Sequence, residues 1–200
     1  MKIVQCEQNT PKWLAARLGK PTASRFSEIV TSSGEHSKSR HAYMLELASE
    51  IITGKQTKKH KSSSMDMGHE FEQEAADYYS MINGVELYKV GLILDDSERY
   101  GCSPDRLITG VNKGVEIKCH EPKVQAKMLY HGQNSLSDYH RQVMGQILIC
   151  DLDEDCLLDY CFGMKDITTT VHRDEKFLSK LKDELEIFCD ELEEMVKRIS

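Results

Sequence analysis

At Asn83-Gly84 the spacing of the apolar residues changes, and that change commits the chain to a mixture of helices and strands. Before it, Met67, Phe71, Ala75, Tyr78 and Ile82 recur every three or four residues, the stripe of an amphipathic helix that an Asn-Gly pair is suited to end. After it, residues 86–94, 102–109 and 114–119 read as three short strands, the last two joined by the tight Gly110-Val111-Asn112-Lys113-Gly114 connection. Helical spacing returns over 138–150. Residues 156–164 form a mostly apolar run of the kind found in strands covered on both faces. Beyond Asp174, the residues Phe177, Leu181, Leu185, Phe188, Leu192, Met195 and Ile199 mark a long helix with an acidic outer face. Upstream, Thr10-Pro11 opens a short helix that Gly19 stops, and 24–30 and 42–52 are further helices. The lysine-rich stretch 54–64 reads as a surface loop. This order predicts an α/β fold with a central mixed sheet flanked by helices. One domain over 1–200 is expected: a helical, basic part (1–64), a core (65–165) and a C-terminal strand and helix (166–200).

Composition removes several function classes. With 40% hydrophobic residues, 30% charged residues and only 4 prolines, the 200-residue chain has the make-up of a globular domain. No apolar run approaches the ~18 residues of a membrane span. Met1-Lys2-Ile3-Val4-Gln5-Cys6 leads into polar residues, so no signal-peptide hydrophobic region is expected and the cytoplasm is the expected location. Seven cysteines without a Cys-x-x-Cys pair argue against a disulfide framework, a zinc ribbon or a clustered iron–sulfur site. No Gly-x-Ser-x-Gly elbow and no phosphate-binding glycine loop occurs. The net charge of −7 is unevenly spread. Residues 1–64 carry 11 Lys/Arg against 5 Asp/Glu, and the remainder carries 15 against 28. A basic first third is able to face nucleic-acid phosphates.

Two short patterns carry the chemistry: Ser103-Pro104-Asp105 and Glu116-Ile117-Lys118. If 102–109 and 114–119 pair antiparallel, their ends lie about 5 Å apart. Glu116 and Lys118, two apart on one strand, project from the same face. Two carboxylates at a strand edge suit a hard cation such as Mg²⁺ or Mn²⁺. A neighbouring amine can orient or deprotonate a polarised water and balance charge in a phosphoryl transition state. Pro-Asp in a turn and Glu-x-Lys on a solvated strand also occur as plain surface chemistry, so the pair alone leaves both readings open.

The wider pattern is more specific. Trp13-Leu14-Ala15-Ala16-Arg17-Leu18-Gly19-Lys20-Pro21-Thr22-Ala23-Ser24 resembles the opening motif of the phage lambda exonuclease and YqaJ-type viral recombinase family. Met67-Gly68-His69-Glu70-Phe71-Glu72-Gln73-Glu74-Ala75 is similar to that family's glycine-then-glutamate helix. Cys102-Ser103-Pro104-Asp105 and Glu116-Ile117-Lys118-Cys119 resemble its nuclease core, and Tyr139-His140-Arg141-Gln142-Val143 its tyrosine–glutamine helix. The five motifs follow the family's order over residues 13–143.

The resemblance implies a restriction-endonuclease-like (PD-(D/E)xK) fold and a Mg²⁺-dependent exonuclease, with Mn²⁺ as an alternative ion. By the same resemblance it digests the 5′-ended strand of duplex DNA ends, releases mononucleotides and leaves 3′ overhangs. Glu72, Asp105 and Glu116, with the carbonyl of Ile117, would hold the metal. Lys118 would activate the attacking water, and Gln142 would position Lys118 or the scissile phosphate, with Tyr139 alongside. Arg17, Ser24 and Ser103 would bind the 5′-phosphate, a match of guanidinium fork and hydroxyl donors to phosphate oxygens. Met65 would stand where the family has an apolar wedge between the strands. The family also implies a homotrimeric ring around DNA, a single-strand annealing recombinase as partner, and a phage or prophage origin within a bacterial cell.

On a helical wheel Glu72 lies ~100° from the Phe71 stripe, on the flank of Gly68 and Tyr79, while Glu70, Glu74 and Asp77 take the other flank and are expected to be solvated. The wheel separates two groups of acids, and the resemblance chooses between them. Two positions depart from the family: Arg106 follows Pro104-Asp105 in place of a glycine, as an extra cation for DNA, and Met144 stands where a second glutamine is frequent. Trp13 is expected to anchor the first helix, the histidines to be surface or packing residues, and the acids between 151 and 159 to form a solvated turn. A restriction-like or structure-selective endonuclease and a non-catalytic DNA-end-binding module are the alternative functions on this fold.

Overall fold

The computed structural model describes residues 1–57 and 63–200, and the side chains of 1–57 and 71–200. In chain order the elements are β1 (Lys2–Val4), α1 (Pro11–Arg17), a 3-10 helix (Ala23–Glu28), α2 (Arg40–Thr53), α3 (Ser63–Asn83), β2 (Leu87–Tyr88) and β3 (Leu92–Leu94). They continue with β4 (Gly101–Cys102), β5 (Arg106–Ile108), β6 (Lys113–Cys119), α4 (Pro122–His131), α5 (Leu136–Cys150), β7 (Glu154–Tyr160), β8 (Ile167–His172) and α6 (Glu175–Ile199). Five strands form a mixed sheet in the order β2-β5-β6-β7-β8, parallel only between β6 and β7. A smaller antiparallel sheet, β1-β3-β4, stands apart from it. The expected α/β class and central mixed sheet are what the chain forms.

The large sheet is covered on both faces. Val115 and Ile117 of β6, with Cys156, Leu158 and Tyr160 of β7, pack with Ala75, Ala76 and Tyr79 of α3. On the opposite face Leu157 joins the larger cluster, which holds Val143, Met144 and Ile147 of α5 together with α2, α6 and the 3-10 helix. Side chains alternate along a strand, so Glu116 and Lys118 look toward the α5 side. The α6 stripe is core, as expected: Tyr43 of α2 meets Phe188 with ring centroids 5.8 Å apart, and Leu181 and Leu185 are fully buried. At Gly145 of α5 a Cβ would come within 2.6 Å of the Phe26 ring, so only glycine admits the 3-10 helix this closely.

Several boundaries differ from the sequence reading. Residues 86–94 are two strands, β2 and β3, which belong to different sheets, and 102–109 divides in the same way into β4 and β5. The break between β4 and β5 is Ser103-Pro104-Asp105, where proline has no N–H for a ladder. One side chain holds both breaks: Gln8 Nε2 donates to the carbonyls of Val90 (3.0 Å) and Pro104 (2.9 Å). At Gly91 a Cβ would lie 2.2 Å from the Cys6 carbonyl oxygen, so the first crossing also needs glycine. The strand expected at 156–164 runs over 154–160 instead. The acids around it are therefore not one solvated turn, because Asp155 and Asp159 are fully buried. Asp159 accepts from the Ser135 N–H (3.1 Å) and hydroxyl and faces His120 Nε2 at 2.8 Å. In α3 the buried face is rotated from the expected stripe toward Ala75, Ala76 and Tyr79, and Ile82 is 48% exposed. Glu74 is half-buried and not free on the surface, since the Tyr160 hydroxyl donates to it at 2.6 Å.

Candidate active site

The rotation of α3 matters for function. Glu72 lies one turn before Ala76 and two before Tyr79, so it shares the face that packs on the sheet. Asp105 ends the break between β4 and β5, and β5 pairs antiparallel with β6 at Arg106↔Val115. Asp105 is thereby set beside Glu116 and Lys118, and its Oδ2 accepts from the Ile117 N–H at 2.8 Å. Glu72, Asp105, Glu116, Lys118 and Gln142 line one cavity of about 580 Å³. Arg17, Ser24 and Ser103 line the same cavity.

Around Glu116 the polar side chains form a closed set. Its Oε1 accepts from Lys118 Nζ (2.6 Å) and Gln142 Nε2 (2.5 Å), while Gln142 Oε1 accepts from Lys118 at 3.3 Å. Its Oε2 accepts from Gln146 Nε2 at 2.5 Å. Lys118 Nζ also lies 4.2 Å from the centre of the Tyr139 ring, a cation–π contact. Tyr139 joins the site through this contact and not as part of the cavity wall. Burial works against the charge on Lys118, yet Glu116 and Asp105 outweigh it and raise the amine's pKa. Asp105 is pushed well above the usual carboxylate range by burial and by the charges of Glu116 and Glu72, with Lys118 and the Ile117 N–H pulling the other way.

Two residues of this shell were missed or misplaced by sequence. Gln146 sits one turn after Gln142 on α5, a spacing that places both on one helix face and that could have flagged it. Arg106, expected as a cation toward DNA, is turned inward and buried. It donates to Glu72 Oε1 at 2.7 Å and Gln73 Oε1 at 3.1 Å, because β5 is an inner strand with α3 over it.

The other end of the cavity is lined by Arg17, Thr22, Ser24 and Ser103. Arg17 lies over the Trp13 ring at 4.0 Å and donates to Thr22 Oγ1 at 2.9 Å, with Ser24 Oγ 3.5 Å from the same hydroxyl. Burial lowers the Arg17 pKa. Trp13 is buried and its indole N–H donates to Ser103 Oγ at 2.9 Å, which confirms it as an anchor and ties α1 to the Asp105 segment. The side chain of Met65 lies outside the described residues, so its expected place is not assigned.

Hard oxygen donors fit a divalent cation here. Three carboxylates from a helix, a strand break and a strand reach one cavity, and Asp105 carries a like-charge burden that a cation relieves. Lys118 and the two glutamines hold both oxygens of Glu116 and Arg106 holds one of Glu72, and among the described residues no three His, Cys, Asp or Glu donors close into a finished cage. Binding an ion would compete with these side-chain hydrogen bonds, above all at Glu116, where both oxygens are engaged.

A model of the YqaJ-like viral recombinase domain matches residues 12–153, which takes in every motif of the cavity. The chain belongs to the YqaJ-like viral recombinase family. Solved structures agree. The alkaline exonuclease LHK-Exo of Laribacter hongkongensis superposes with a TM-score of 0.83 at 28% identity, covering 95% of this chain and 96% of that one. The same enzyme in complex with dAMP gives 0.84 at 29% identity, with the same coverage. A phage-related exonuclease from Haemophilus somnus 129PT shares the fold at 14% identity, with a TM-score of 0.71 over 90% of this chain and 96% of that one. No curated protein matches the chain significantly. This member of the YqaJ family is thus a nuclease, a hydrolase acting on DNA, with the exonuclease fold of the PD-(D/E)xK type. Nucleases of the family are in general dependent on a divalent metal. None of its helices, among the described residues, is long and apolar enough to cross a membrane.

Proposed function

We propose that the protein is a Mg²⁺-dependent 5′-to-3′ exodeoxyribonuclease that enters duplex DNA at an end and leaves a 3′ single-stranded overhang, with Mn²⁺ able to replace Mg²⁺. The observation that carries this reading is that one cavity joins the carboxylates Asp105, Glu116 and Glu72 to the guanidinium of Arg17. A site with acids at one end and a phosphate-binding fork at the other suits a terminal nucleotide held by its 5′-phosphate. The dAMP complex of the Laribacter enzyme supports release of mononucleotides.

In this reading Asp105, Glu116, Glu72 and the carbonyl of Ile117 would hold the ion, which would supply Lewis-acid activation of water and neutralise charge on the phosphate. Lys118 is the proton acceptor. It is held as an ammonium while Glu116 and Asp105 face it. Burial favours the neutral amine, the form that can accept a proton, and would act unopposed wherever the charge of those carboxylates is neutralised. Gln142 fixes the amine's direction, and the Tyr139 ring walls one side of it. Arg17, Ser24 and Ser103 hold the terminal phosphate, with the basic first third of the chain toward DNA. A homotrimeric ring and a single-strand annealing recombinase as partner complete the proposal, both by family membership.

The test compares 5′-phosphorylated, 5′-hydroxyl and covalently closed duplexes with Mg²⁺. Rapid digestion of the first, slower digestion of the second and an intact closed circle are expected, and Asp105→Ala and Lys118→Ala should each lose at least 10²-fold in rate. Cutting of the closed circle favours the endonuclease reading, and DNA binding without turnover favours the binding module.

A further inference from the structure

Arg106 is 3% exposed. Its guanidinium donates to Glu72 Oε1 at 2.7 Å, to the carbonyl of Asp105 at 2.6 Å and to Gln73 Oε1 at 3.1 Å. A buried guanidinium needs a charge partner, and here the partner is one of the carboxylates that face the cavity. Resting on the metal-nuclease reading, we propose that Arg106 is a positioning residue that serves as a resident counter-charge. It holds Glu72 in the place of a divalent cation and sets how tightly the site binds that cation.

Two effects act in one direction. The oxygen of Glu72 that accepts from Arg106 shares its lone-pair density with that hydrogen bond and is a poorer ligand for an ion while the bond lasts. A fixed positive charge bonded to a carboxylate of the cavity wall also opposes the entry of a second positive charge, and in a partly buried site it does so strongly. A DNA-binding role does not fit a side chain buried between β5 and α3. A simple latch between those two elements makes a different prediction, because loss of a latch lowers stability equally with or without metal.

The experiment uses the full chain without DNA. Mn²⁺ is titrated by calorimetry into the wild type, Arg106→Gln and Arg106→Lys, and melting is followed in EDTA and in saturating Mn²⁺. Arg106→Gln should bind Mn²⁺ at least threefold more tightly than the wild type, melt lower in EDTA and regain much of that difference in Mn²⁺. Arg106→Lys, which keeps the charge, should bind Mn²⁺ as the wild type does. Unchanged or weaker binding by Arg106→Gln overturns the proposal, as does an equal loss of melting temperature in both conditions. If the glutamine variant fails to fold in both, the wild type decides by NMR: the Arg106 side-chain N–H resonance should shift on adding Mg²⁺, and an unmoved resonance overturns the exchange with Glu72. Absence of Mn²⁺ binding by the wild type would defeat the metal-nuclease reading itself, whereas wild-type binding with an unaltered variant defeats this inference alone.

Discussion

Both carboxylate oxygens of Glu116 are held by side chains, Oε1 by Lys118 and Gln142 and Oε2 by Gln146. Gln146 borders the same cavity but is only 1% exposed, and its side-chain amide donates to Glu116, so its effect on hydrolysis is expected to pass through Glu116. Replacing it with leucine keeps most of the volume and removes the donor to Oε2. Hydrogen-bond partners of ligating groups typically contribute 10–100-fold to metal affinity or activity. Gln146→Leu is therefore expected to lose ~10–100-fold in the rate at which the folded protein digests linear duplex, measured below its melting temperature. A mutant with wild-type rate would show that Gln142 and Lys118 suffice to place Glu116. The sequence made Asp105, Glu116 and Lys118 visible because short-range spacing fixes their relation: two residues apart on one strand, or at paired strand ends. Gln146 and Arg106 were less visible because their roles depend on which face of α5 meets β6 and on which way a β5 side chain turns. Both are tertiary facts.

At the level of elements, the long patterns were legible and the broken ones were not. α5, α6 and β6 each carry enough apolar periodicity to declare themselves, and their observed limits lie within two residues of the expected ones. α4 gave no such signal, because its buried residues are only Gln125 and Met128. The divisions at 89–91 and 103–105 were invisible for another reason: a strand cannot announce that it changes partners. That decision is made at a distance by Gln8, whose amide nitrogen reaches the carbonyls at both crossings. Gln8→Ala removes the donor from two partly buried carbonyls, which should cost ~1–3 kcal/mol in urea denaturation. It should also cost activity beyond that, because Asp105 directly follows Pro104 and a displacement of ~1 Å near the reacting atoms is able to cost ~10²-fold. Loss of stability without loss of rate in the folded fraction would mean that Trp13 and Ser103 alone hold the Asp105 segment.

For the whole molecule, the acidic total concealed where the acids lie. A sequence count treats Asp151 and Asp155 alike, yet Asp151 is exposed and Asp155 is buried in the parallel pair β6–β7 opposite Gly114, where a side chain on residue 114 would strike its carboxylate. Asp155 Oδ1 accepts from the Cys156 N–H, and Oδ2 has no hydrogen-bond partner among the described residues. Burial, followed by the charge of Glu116, raises its pKa well above the usual carboxylate value. The folded state thus keeps a proton that the unfolded chain gives up near pH 4. Below that pH both states are protonated and the fold has its full stability from this position. As pH rises toward the folded-state value, ionisation of the unfolded chain draws stability away, by up to ~1.4 kcal/mol per pH unit. Asparagine copies the neutral acid in shape and does not ionise. Asp155→Asn should therefore match the wild type near pH 4 and gain on it steadily through neutral pH, measured as the difference between urea midpoints at a series of pH values. A constant difference across that range would place a charged carboxylate at 155 in the folded protein. The β6–β7 core behind Glu116 would then have to contain a counter-charge.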